Sequence, residues 1–133
     1  ITKEAFSSMI KEVATLTQTA SSIFFISYVS ELLDKNPEAC FGKGYPNAEK
    51  RAKLITYGSA KAGEPWISFY SDEEIESALS QNGYSVKENV TLKDLNSRYF
   101  APVGRALSEN QLLLLEHFVI SESQNSSLLS ENS

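Results

Sequence analysis

Few residues of this chain are spaced as catalytic machinery. Ser8-Met9-Ile10-Lys11 has the Ser-x-x-Lys spacing of serine acyl enzymes, but Met9 and Ile10 fit the core face of a helix and the companion motifs are absent. Gly42-Lys43-Gly44 is too short to cradle a phosphate and follows no strand, so it reads as a flexible turn. Asp72, Glu73 and Glu74 crowd a helix start, where the helix dipole favours them, and do not read as paired catalytic carboxylates. Cys40 and His117 are the single cysteine and histidine. One cysteine makes no internal disulfide, and the two residues fall short of the three or four ligands of a zinc site. No serine or cysteine forms a triad with His117 at a readable spacing. Residue types alone identify no acid, base or nucleophile.

The elements that would position any site follow from periodicity. Ala5, Phe6, Met9, Ile10, Val13 and Leu16 recur every three or four residues, which predicts a helix over 3–17 with Thr2 as its N-cap. The pattern starts without a lead-in, as expected of a segment of a longer chain. Ser22 to Val29 is β-branched and aromatic and predicts a central strand buried on both faces. Residues 36–47 hold two prolines, two glycines and two asparagines and predict a loop. A second helix is expected over 48–60, with Ala48, Ala52, Ile55 and Ser59 on one face. Gly63-Glu64-Pro65 breaks the chain before a short extended piece, Trp66 to Tyr70.

Ser71-Asp72-Glu73-Glu74 has the form of a capping box, and Asn82-Gly83 closes the helix it opens. Residues 84–90 alternate as an edge-like strand does, and Thr91 to Asp94 starts a capped turn running to about Arg98. Leu112 to Ile120 suits a strand in its second part. Residues 121–133 are rich in Ser, Asn and Glu and predict a disordered tail. The last two strands lack a crossover helix between them and should pair antiparallel. The order α, β, α, extended, α, β, short α, β reads as half of an α/β sheet.

Composition sets outer limits. The chain has 133 residues, 41% hydrophobic and 22% charged, with a formal net charge of −5. That suits one globular domain and argues against a nucleic-acid partner, which requires clustered Lys and Arg. No apolar run approaches the roughly 20 residues of a membrane span. No signal peptide opens the sequence, and a cytoplasmic location is the expectation.

One stretch carries a family resemblance. Gly63-Glu64-Pro65-Trp66-Ile67-Ser68-Phe69, followed by Asp72 to Leu79 and then by Asn82-Gly83-Tyr84, resembles a continuous motif of the leucine carboxyl methyltransferase-like family. That family includes bacterial and polyketide O-methyltransferases. Thr91 to Phe100 resembles its "L-x-x-L-x-x-R-Y" continuation, Thr2 to Phe6 a helix start, and Ser22 to Val29 its fifth strand. The likeness spans nearly all of residues 1–120.

The resemblance implies the C-terminal half of a class I methyltransferase, a Rossmann-like α/β fold. It implies three main strands, at about 22–29, 84–90 and 114–121, flanked by helices, with the last strand inserted antiparallel between the other two. Residues 1–120 would be the substrate-side part of the domain. The intact enzyme would move a methyl group from S-adenosylmethionine to a carboxylate or hydroxyl oxygen of a small-molecule or protein acceptor. Such a transfer depends on positioning and desolvation more than on an acid–base pair. The family's glycine-rich cofactor loop lies upstream of this segment, so the chain alone is expected to be inactive and not to bind the cofactor.

Tyr28, at the carboxyl end of the first strand, matches a family tyrosine near the acceptor, although Val29-Ser30 stand where one branch has Glu-Gln. Trp66, Phe69 and Tyr70 can line an apolar acceptor pocket or be ordinary core, and Arg98 can pair with an acidic acceptor. The competing readings are a non-enzymatic α/β interaction module and an unrelated small enzyme. The apolar strand 22–29 would leave an open edge and favours a homodimer; a fold-over of the 36–47 loop would instead keep the chain monomeric. Neither nucleic acid nor membrane is an expected partner.

Overall fold

Helix α1 (Lys3–Thr17) forms where the apolar spacing predicts it, and Thr2 caps it by accepting from the Ala5 N–H at 3.1 Å. The computed structural model describes residues 1–41, 45–63, 67–108 and 112–124. After α1 come strand β1 (Ile23–Val29) and helices α2 (Leu32–Lys35), α3 (Pro37–Cys40), α4 (Ala48–Lys61) and α5 (Asp72–Gln81). Strand β2 (Tyr84–Thr91), helix α6 (Leu92–Leu95) and strand β3 (Glu116–Ser123) complete the order. No helix among the described residues is long and apolar enough to cross a membrane.

The protein is α/β, with a three-stranded sheet in the order β1-β3-β2. The Ser123 N–H donates to the Ser22 carbonyl and the Ser30 N–H to the Leu115 carbonyl. These two bonds fix an antiparallel register that sets Tyr28 opposite His117. Strand β3 is antiparallel to both neighbours, so β1 and β2 point the same way.

The chain divides into two units. The first holds residues 1–27, 72–89 and those from 118 onward. In it α1 and α5 pack together, with Lys3 paired to Glu74 at 2.7 Å. The Thr17 hydroxyl meets the Tyr84 hydroxyl, and Tyr84 packs on Phe24 at 5.6 Å between ring centroids. The second holds residues 28–71 and 90–117. Its core is Leu33, Cys40, Phe41, Ala48 and Ala52, with Ile55 and Phe69 packed against it.

Several expectations need correction. Strand β1 is not buried on both faces: Ile23 and Phe25 are 72% and 59% exposed, while Ile26 and Tyr28 are buried. It is an edge strand rather than a central one. The loop expected over 36–47 contains α3, because Pro37 at a first helical position already has helical φ and needs no N–H partner.

The turn after Thr91 continues past Arg98 through a π-helical turn (Asn96–Phe100) and a 3₁₀ turn (Ala101–Val103), stopping at Gly104 with φ of 75°. Strand β3 starts later than expected and reaches Ser123, into the stretch expected to be tail. Serines suit it there because their hydroxyls are satisfied: Ser121 donates to the Phe24 carbonyl at 2.9 Å, and Ser123 accepts from the Ser22 N–H at 3.0 Å. The expected turn at Gly42-Lys43-Gly44, the break at Glu64-Pro65 and the rest of the tail from residue 125 lie outside the described residues.

Candidate functional site

The carboxyl end of β1 gathers three polar aromatic groups, Tyr28, Tyr70 and His117. Tyr28 is 5% exposed, and its hydroxyl lies 3.3 Å from His117 Nδ1. Tyr70 meets the Tyr28 ring edge-on, with centroids 6.4 Å apart. The backbone holds Tyr70 in place. Its N–H donates to the Val29 carbonyl, and its carbonyl accepts from the Glu31 N–H at 2.8 Å. These bonds run along the outer edge of β1, so the segment ending at Tyr70 caps the end of that edge. The Ser30 hydroxyl accepts from the Leu32 N–H and starts α2.

The site residues read from the sequence fall into different places. Tyr28 and Tyr70 come together. Phe69, half-buried, sits beside them in sequence but turns to the core of Leu33 and Ala52 and lines a cavity of about 420 Å³. Arg98 is exposed on the π-helical turn, where its charge acts on Asp94. Trp66 lies outside the described residues. His117 joins Tyr28, although its spacing in the sequence suggests no role. Only the register of β1 against β3 sets it opposite Tyr28, and a lone histidine in a strand carries no signal of that.

The chemistry available is hydrogen bonding and enclosure. The Tyr28 hydroxyl and His117 imidazole are both buried, so the pair orients the end of β1 rather than presenting itself to solvent. Cys40 is fully buried, and burial pushes its thiol up to about 11, which leaves no thiolate for nucleophilic work near neutrality. Among the described residues no group of three or more His, Cys, Asp or Glu side chains can hold a metal ion. The turns that follow β1 and β2, through Ser30-Glu31 and into Leu92, contain no glycine. They therefore do not fit the phosphate- or nucleoside-cradling turn that follows a strand in cofactor-binding α/β sheets.

Compared with known proteins, the chain matches no family model, no curated protein and no solved structure.

Proposed function

We propose that this chain is the C-terminal, substrate-side part of a cytoplasmic class I methyltransferase, which transfers a methyl group from S-adenosylmethionine to a carboxylate or hydroxyl oxygen of its acceptor. The observation that carries this reading is the sheet. The strand latest in sequence lies between the two earlier ones and runs against both. A late antiparallel insertion between two co-directional strands is the arrangement implied by the motif resemblance at 63–84. The position of Tyr28 at the carboxyl end of β1 also supports it, since ligands of open α/β sheets sit beyond the carboxyl ends of the strands.

The glycine-free turns after β1 and β2 do not fit the cofactor, and this reading therefore assigns its binding to residues outside these 133. On this reading the chain's own side chains supply the acceptor wall. Tyr28, His117 and Tyr70 hold the strand end rigid, and Phe69 contributes apolar surface that excludes water. A second reading, a non-enzymatic interaction module, is favoured by the bare sheet face at Ile23 and Phe25.

The test is methyl transfer and calorimetry on the full-length gene product, alongside the 133-residue chain. The full-length protein should bind S-adenosylmethionine and the chain alone should not. A full-length protein that fails to bind it overturns the methyltransferase reading. Micromolar binding by the chain alone overturns the assignment to the substrate side. In the full-length protein Tyr28→Phe should lower turnover or acceptor affinity, and unchanged kinetics would remove Tyr28 from the acceptor wall.

A further inference from the structure

The cavity beside Phe69 lies wholly within the second unit, between α2–α3 and α4. Its volume of about 420 Å³ falls within the range of small-molecule sites. The floor is apolar and continuous with the core: Leu33 and Ala52 are 2% and 6% exposed, and Phe69 packs against them. Asn36 and Thr56 add polar groups to the walls, so a ligand placed there meets an apolar floor between polar sides.

The rim decides the charge of that ligand. Lys53 is held by Glu49 at 3.0 Å, and Lys35 by Glu31 at 2.7 Å, each within one helical turn. These pairs neutralise both lysines and Glu49. Asp34 and Glu38 also line the cavity, are exposed, and join no ion pair among the described residues. The charge left over at the mouth is therefore negative, above an apolar floor. A carboxylate or phosphate ligand would meet two like charges there, and a neutral ligand would gain nothing from them. A protonated amine gains from both, and its three N–H donors can serve two carboxylates at once.

We propose that this cavity binds a small organic ammonium, its charge between Asp34 and Glu38 and its apolar body on Leu33, Ala52 and Phe69. The inference concerns binding alone and does not rest on methyl transfer.

The test is amide chemical-shift titration of the isotopically labelled chain at pH 7 with three probes of one shape: benzylammonium, benzyl alcohol and benzoate. Benzylammonium should shift residues 33–38, 52–56 and 69 and saturate in the millimolar range, on the order expected for so small a ligand. Benzyl alcohol should bind about fivefold more weakly and benzoate more weakly still, the factor two exposed charges can supply. The double variant Asp34→Asn, Glu38→Gln should remove the advantage of benzylammonium over benzyl alcohol and leave the alcohol unchanged. Ala52→Phe, which fills the floor, should abolish binding of both. Equal affinity for the three probes, shifts outside the lining residues, or a double variant that keeps the preference for the cation would each overturn the proposal.

Discussion

The two units solve the problem of burying their apolar surface differently. The second closes its interior. Leu33, Cys40, Phe41, Ala48 and Ala52 form a buried cluster, and Tyr28, Tyr70 and His117 are shut in at the end of β1. What it leaves open is a notch, concave and lined by both apolar and charged groups. The first unit closes one side only. Along β1, Phe24 and Ile26 alternate with Ile23 and Phe25; the first set faces Tyr84 and the interior, and the second stays in water. Phe25 stacks on Phe118 at 6.2 Å, which gathers the exposed apolar groups into a stripe. A notch has the dimensions of a small molecule, whereas a stripe on a flat sheet is matched by another protein surface. The same chain thus carries two kinds of unfinished surface, and each calls for a different partner.

Truncation in either core should have the largest effect. Leu79→Ala in the first unit and Leu33→Ala in the second should each cost about 3 kcal/mol, because both side chains are fully or almost fully buried. Phe25→Ala should cost under about 0.5 kcal/mol if its face is bare as described. Denaturant unfolding compares the three, and a core-sized loss at Phe25 would break the contrast.

Assembly tests the same face at its edge. Strand β1 carries no charge or proline from Ile23 to Ser27, and the bonds to Tyr70 begin only at Val29. Light scattering of the chain at micromolar concentration should give twice the 14.7 kDa of one copy, through antiparallel pairing of two β1 edges. Phe25→Lys should restore one copy. A single-copy mass for the unchanged chain would rule the pairing out.

Smaller effects belong to the closed unit. Tyr28→Phe deletes a buried hydroxyl facing His117 and should cost about 1 kcal/mol of stability, read by thermal unfolding. Two titrations should have opposite signs. Burial raises the Cys40 thiol from 9.0 to about 11. Stability from keeping it neutral is present below pH 9 and is lost as pH rises toward 11, and Cys40→Ala should flatten that alkaline slope. The Asp94 carboxyl is held below the usual carboxylate range, chiefly by the hydrogen bond from the Thr91 N–H at 2.8 Å. Its contribution is present at neutral pH and is lost as pH falls through that lowered value. Since Asp94 is only partly buried and solvent screens its charge, Asp94→Asn should cost no more than about 0.5 kcal/mol, seen as faster amide exchange over 92–100.

The elements legible in the sequence were those set by neighbours along the chain. The bounds of α1, the Thr2 cap, the start of α4 at Ala48, the acidic first turn of α5 and the turn at Gly83 all follow from spacing, hydroxyl caps and a glycine at φ of 84°. Strand β3 was harder. Glu116 to Ser123 ends in polar residues, and partners distant in sequence, among them the Phe24 carbonyl and the Ser22 N–H about a hundred residues away, make a strand of them. The candidate site was legible in part. Tyr28 and Tyr70 are aromatic residues beside predicted elements, but their meeting with His117 depends on strand register. Phe69 is legible as a pocket residue, whereas the charged rim is not, because α2 is a single short turn and α3 lies in a stretch of loop formers.

The sequence sets most of the helices and strands through preferences that act over three or four residues, but not α3 or the polar end of β3. It also determined that the chain holds too few histidines and cysteines for a His/Cys metal site, because composition alone limits that. Tertiary structure decided which face of β1 is covered, which strand lies in the middle of the sheet, and which carboxylates remain at the cavity mouth once the lysines have found partners. Each of those depends on residues distant in sequence competing for the same neighbour in space, and no local pattern records the outcome of that competition.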